Sequence, residues 1–151
     1  LVAAIDVAKT VAACLVGMWL LPADPQLGKM VAGAAAQLGH IFPVFYRFHG
    51  GKGIVCAAAL ALMMDWRIFV ILFSVFLIVF LTTHYVSLGS VLAAVGYAIA
   101  FPVFFRDNLP VALLGVAVAL MALFMHRSNI VRLCKGKETK TYLKKSHREE
   151  T

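Results

Sequence analysis

The sequence predicts an all-α protein, a polytopic transmembrane bundle with about six helices in this chain. Three observations point there. Of the 151 residues, 62% are hydrophobic and only 14% are charged, whereas a soluble domain is about half apolar and a quarter charged. The apolar residues fall into long runs cut by short polar, Gly or Pro punctuation, and the mean hydropathy is +0.90. The positive charge is lopsided: eight of the 14 Lys and Arg lie after Met125. A chain this apolar cannot cover itself with polar surface, so the class is integral membrane. The length allows one bundle and no separate soluble domain.

Taken in order, the apolar runs are 1–21, 28–45, 53–64, 66–83, 86–105 and 109–126. A hydrocarbon core about 30 Å thick needs about 20 helical residues, which most of the runs supply. The 53–64 run is short and fits either a tilted span or a re-entrant helix. Every run must satisfy its backbone internally in lipid, so each is expected to be a helix. The opening LVAAIDVAKT has no Met, basic region or cleavage site. It reads as the middle of a helix left by N-terminal truncation rather than as a signal peptide. Cys14, Cys56 and Cys134 show no paired spacing and read as free thiols in a reducing compartment. Residues 1–126 are therefore expected to form the membrane bundle. Residues 127–151 form a basic cytoplasmic tail that leans on anionic head groups. No nucleic acid is expected as partner, because that tail hangs from a membrane bundle.

Topology follows by counting back from a cytoplasmic tail. FRDNLP (105–110), DWR (65–67) and PADPQLG (22–28) fall outside. THYVSLGS (83–90), YRFHGGKG (46–53) and the first residues fall inside. Trp19 and Trp66 then sit at the outer boundary, as interfacial aromatics do. The outer loops carry turn chemistry, while the Gly, Lys, Ser, His and Asn clusters all fall on the inner side. That sorting suits an active site facing the cytoplasm, provided that 53–64 crosses fully.

The stretch GHIFPVFYRFHGGKGI (39–54) carries the most chemistry. Gly50, Gly51 and Gly53 surround Lys52 just before a helix starts. Glycines let backbone N–H groups turn toward a ligand, a helix start adds unpaired donors, and Lys52 completes an anion site suited to phosphate. The spacing is not that of a Walker A loop. A flexible turn with a snorkelling lysine fits the spacing equally well. His40 lies within a span, where polar groups are costly and tend to be functional; His49 adds charge beside the glycines. Asp6 and Lys9 share a helix face and read as a buried ion pair. His126 and Asn129 share a face at the inner boundary, fit either to hold a polyol or phosphate or simply to end a helix. Ser87 and Ser90 open a helix, and capping is their default role. No His, Cys or carboxylate cluster has metal-ligand spacing, so no metal is expected.

Together these stretches resemble one family, the bacterial acyl-phosphate:glycerol-3-phosphate acyltransferases, often called PlsY. Residues 39–56, GHIFPVFYRFHGGKGIVC, are similar to its motif GHxFPVFxxFKGGKGVAT. YVSLGS (85–90), HRSNIVRL (126–133) and GKETK (136–140) fit in the same order. The resemblance implies a seven-helix bundle, of which this chain holds helices two to seven. It implies transfer of a fatty acyl group from acyl phosphate to the 1-hydroxyl of glycerol 3-phosphate, giving lysophosphatidic acid for phospholipid synthesis. It implies no cofactor and a site facing the cytoplasm of a bacterial inner membrane. A monomer is compatible with it, although the sequence leaves the oligomeric state open. By this match Gly50, Gly51, Lys52 and Gly53 bind substrate phosphate, and Lys52, Ser87, His126 and Asn129 form the catalytic set. His40, His49 and Glu138 are candidates for support, with Glu138 expected chiefly to stabilise the tail through nearby lysines. Two positions depart from the motif, His49 for the usual lysine and Cys56 for the usual threonine. The family's first motif, SGNxGATNxxR, is expected ahead of Leu1. A non-catalytic binder of anionic lipid or phosphate, or a small transporter, are the alternative readings.

Overall fold

Asp24 and Pro25 illustrate how local sequence sets the helices in the computed structural model, which describes residues 2–142. Asp24 Oδ1 accepts from the Leu27 N–H at 3.0 Å and Pro25 opens the helix, a cap and a first residue that need no further partner. The helices are α1 (Val2–Leu20), α2 (Pro25–Ile41), α3 (Ile54–Met64), α4 (Trp66–Thr83), α5 (Val86–Phe104), α6 (Leu109–Met125) and α7 (Arg127–Cys134). No strand occurs among the described residues. Asp65 caps α4 and Asn108 caps α6 in the same way as Asp24 caps α2.

Five of the six apolar runs match α1 and α3–α6 closely. The 28–45 run does not: its helix starts earlier, at the Asp24 cap, and stops at Ile41, before Pro43. A single 3₁₀ turn over Val44–Tyr46 follows. The basic segment after Met125 begins with α7, a short helix that composition alone did not reveal. Residues 143–151 of the expected tail, and Leu1, lie outside the described residues.

By length and composition α1, α4 and α5 can each cross a membrane, and α6 with α7 counts as a fourth span if their 57° bend is ignored. The expectation that most runs reach spanning length is too generous for α2, at 17 residues, while α3 is short as its run indicated. At 1.5 Å per residue α3 is only about 16 Å long. It packs against α1, α2, α4 and α6, with Ala57, Ala59, Leu60 and Ala61 buried. Its backbone is enclosed by protein, so it does not need the length a lipid-facing helix needs. Close approach extends to α1 and α2, where a Cβ on Gly17 would fall on the Gly28 carbonyl.

The loops sort to two ends. At one end Asn108 Nδ2 donates to Asp24 Oδ2 at 3.0 Å, and the Arg67 guanidinium lies 5.2 Å from the Phe104 ring centre. Trp19 and Trp66 are exposed there. At the other end Lys52 reaches Asn129 and the Thr141 N–H donates to the His84 carbonyl at 2.8 Å. Gly53 and Asp65, which flank α3, belong to opposite ends. The 53–64 segment therefore crosses the bundle and is not re-entrant.

Candidate active site

The glycine loop is built by close packing against the end of α2. Gly50 N–H donates to the Ile41 carbonyl at 3.1 Å and Gly51 N–H to the His40 carbonyl at 3.2 Å. A Cβ on Gly50 would fall on the His40 carbonyl, and one on Gly51 on His40 Nε2. These two glycines are thus needed for approach, and their N–H groups are already bonded rather than turned toward a ligand as the sequence suggested. Of the three loop glycines only Gly53 has the left-handed backbone, φ 73°, that favours glycine. The donors that remain belong to Gly53 and the first turn of α3, where the helix dipole is positive. Gln37, fully buried on α2, points its Nε2 at the Gly53 carbonyl at 3.5 Å and at the Val118 carbonyl at 3.4 Å.

Lys52 Nζ donates to Asn129 Oδ1 at 2.6 Å, Asn129 Nδ2 donates to Glu138 Oε1 at 2.9 Å, and Arg132 Nε donates to Glu138 Oε2 at 2.8 Å. The Arg132 guanidinium holds the Glu138 carboxyl below its usual range. His126 stands at the bend after α6 and is 3% exposed. Its Nδ1 lies 2.8 Å from the Ala122 carbonyl. A carbonyl only accepts, so Nδ1 carries the hydrogen and Nε2 is left as an acceptor. Ser87 Oγ is buried and has no hydrogen bond of good geometry, although it stands close enough to the Glu138 carboxylate to help lower its pKa.

Lys52, Ser87, His126, Asn129 and Glu138 line one polar cavity of about 300 Å³. Its far wall is the segment after α7. Gly136, at φ 64°, turns the chain back, and Glu138, Thr139 and Thr141 face the cavity. The Tyr142 ring then packs 4.8 Å from His84. Beside it runs an apolar cavity of about 470 Å³ between α3, α4, α5 and α6, lined by α3 alanines, Phe69, Phe73, Phe76 and Tyr97. Ile54, Val86 and Ser90 line both cavities. A polar head and an apolar tail on one molecule could therefore be held at once.

The structure brings Lys52, Ser87, His126 and Asn129 together as the sequence suggested; Glu138, expected to pair with tail lysines, instead bonds Asn129 and Arg132 and joins them. Ser87 and Ser90 do not cap α5: Tyr85 occupies that position, and Ser90 Oγ donates to the Val86 carbonyl at 3.0 Å. His49 stays exposed, its Nδ1 2.7 Å from the Arg47 carbonyl, and does not line the cavity. Gln37, Thr139 and Thr141 were missed, the first because a lone amide in an apolar run carries no spacing signal. Asp6 and Lys9 pair at 2.7 Å as expected, and His40 joins them. Asp6, His40 and Cys56 offer metal-type ligand atoms within 4.8 Å of one another, a juxtaposition their sequence separation hid. Lys9 Nζ also lies 3.0 Å from His40 Nδ1, so an ammonium already supplies these groups with the positive charge an ion would bring.

The fold and site define an integral membrane helix bundle with a polar cavity beside an apolar trough. The profile of the family described as Glycerol-3-phosphate acyltransferase matches residues 1–136, and the chain belongs to that family. A glycerol-3-phosphate acyltransferase of Finegoldia magna is 43% identical over 114 residues, covering 76% of this chain and 58% of that protein. One from Geobacillus kaustophilus is 40% identical over 134 residues, covering 87% and 64%. The chain thus spans less than two thirds of either relative. Two crystal structures of PlsY (YgiH), an integral membrane glycerol 3-phosphate acyltransferase, are also similar, one in its glycerol 3-phosphate form and one in its lysophosphatidic acid form. Each has a TM-score of 0.75 and 27% identity, and covers 89% of this chain; the match takes in 68% of the first PlsY chain and 69% of the second.

Proposed function

We propose that this chain forms most of an acyltransferase that moves a fatty acyl group from acyl phosphate to the 1-hydroxyl of glycerol 3-phosphate. The observation that carries the reading is the polar cavity adjoining an apolar trough, with Ile54, Val86 and Ser90 lining both. Both substrates bear phosphate, and one bears a long apolar tail. Lys52 and the free donors of Gly53 and the first turn of α3 hold a phosphate. Gly50 and Gly51 shape the loop rather than touch the ligand. Ser87 supplies a hydroxyl that has no hydrogen bond of good geometry within the protein. His126 Nε2 accepts the 1-hydroxyl hydrogen and orients its oxygen toward the acyl carbon. Asn129 is held for this work by Glu138.

In the proposed step the glycerol oxygen bonds to the acyl carbon and the bond from that carbon to the phosphate oxygen breaks. The hydroxyl proton leaves with the phosphate, so lysophosphatidic acid and inorganic phosphate are the products. Acyl phosphate is already activated, and the step as written draws on no cofactor. Positioning two anions and stabilising developing charge are the protein's share. Residues 1–126 are read as the acyltransferase bundle of a bacterial inner membrane, with the site end and the 127–151 tail cytoplasmic. The family match supports an enzyme over a lipid binder or a transporter.

The test is acyl transfer from palmitoyl phosphate to labelled glycerol 3-phosphate by the natural full-length protein and its Lys52→Ala variant. Loss of one charge-assisted contact costs about 1.5–3 kcal/mol, so kcat/KM is expected to fall about 10- to 100-fold. Equal activity in both proteins would reject the role given to Lys52.

A further inference from the structure

We propose that His40, held in place by Asp6 and Lys9, is a positioning residue that sets the height of the glycine loop and so the place of Lys52. This rests on reading that loop as the phosphate site. His40 does not line the polar cavity, so it acts through the loop and not on substrate. Its imidazole takes the space a side chain at Gly51 would need: a Cβ there would lie on Nε2 and 2.8 Å from Cε1. The loop therefore lies directly on the ring, with Lys52 the next residue. The His40 carbonyl receives the Gly51 N–H as well, so one residue grips the loop by main chain and by side chain.

The ring is fixed from below. Its Nδ1 lies 3.0 Å from Asp6 Oδ1 and 3.0 Å from Lys9 Nζ. Asp6 is buried and bonded to Lys9 at 2.7 Å. Buried ion pairs add little net stability against apolar replacements, whereas a half-broken pair is costly. An Asp–Lys pair under a histidine is better suited to holding one geometry than to adding stability. Cys56, in the first turn of α3, closes the cluster on a third side. Three helices thus converge under the residue that precedes Lys52. A displacement of the loop here moves the ammonium away from Asn129 Oδ1, where it now sits at 2.6 Å.

The test is steady-state kinetics on the full-length protein, with His40→Ala, His40→Asn, Gly51→Ala and the Gly51→Ala/His40→Asn pair. His40→Ala is expected to raise the KM for glycerol 3-phosphate about 10-fold, with kcat changed much less. His40→Asn keeps a donor to Asp6 but removes the far edge of the ring. It should recover part of the KM and, should His40→Ala fail to fold, carry the test instead. Gly51→Ala alone collides with the ring; with His40→Asn beside it the collision is relieved. The double variant should therefore lose less than the product of the two single losses. A KM untouched by either His40 variant, or losses that simply multiply, overturns the proposal. Lys52→Ala run alongside separates the two readings: if it leaves activity unchanged the phosphate-loop reading itself fails. If it weakens the enzyme while the His40 variants leave KM alone, only the buttress fails.

Discussion

Ser87 distinguishes a binding group from a structural one at the scale of a single atom. Its Oγ makes no hydrogen bond of good geometry within the protein and only approaches the Glu138 carboxylate, so removing it costs the native state little. Ser87→Ala is expected to leave the thermal unfolding midpoint unchanged or slightly raised, while kcat/KM falls about 10-fold, the size of a lost hydrogen bond to a charged group. A matched loss of stability and activity would assign the serine to the fold. His126 gives a pH test. Protonation removes Nε2 as an acceptor, so kcat/KM is expected to fall on acidification, and a kcat/KM that is insensitive to acid would contradict the role given to the neutral ring. Lys52, Ser87, His126, Asn129 and Glu138 were legible because charged and polar groups stand out in apolar sequence. The glycines were half legible: their presence marked a tight loop, but only coordinates show that Gly50 and Gly51 spend their N–H groups on α2.

At the scale of elements, the contact between α1 and α2 depends on two glycines. A Cβ on Gly17 meets the Gly28 carbonyl, which is backbone and cannot move aside. Gly17→Ala should cost about 1–3 kcal/mol through overpacking, seen as a lower unfolding midpoint in detergent. Gly39→Ala, where a Cβ meets nothing within 4 Å, should gain about 0.5–1 kcal/mol from helix propensity. A Gly17→Ala protein as stable as the parent would mean that the two helices pack less closely. The helix limits were readable where hydropathy changed sharply, as at Asp65 and Asn108. They were misjudged at α2, where the Asp24–Pro25 cap lies outside the apolar run and Pro43 ends the helix inside it. α7 escaped because eight residues with one apolar face look polar by composition. The brevity of α3 was visible in the sequence, but its reason was not: enclosure by four other helices is a property of packing.

At the scale of the molecule, the main finding is the division of chemistry between two ends. One end holds caps, exposed tryptophans and short turns. The other gathers the glycine loop, the start of α5, the bend after α6 and the returning segment around a single polar cavity. Counting spans from the basic tail anticipated that division, because each crossing reverses the side on which the next loop falls. The apolar trough that meets the cavity was not legible, since it is lined by the same residue types that fill any membrane core. The reading that polar cavity and trough together serve acyl transfer at the cytoplasmic face is most directly tested in sealed membrane vesicles. These would contain the natural full-length protein in either orientation, with palmitoyl phosphate and impermeant, labelled glycerol 3-phosphate added outside. Labelled lysophosphatidic acid should form only in inverted vesicles, which expose the Lys52 end to the medium. Equal formation in right-side-out vesicles, or none in inverted ones, would contradict it.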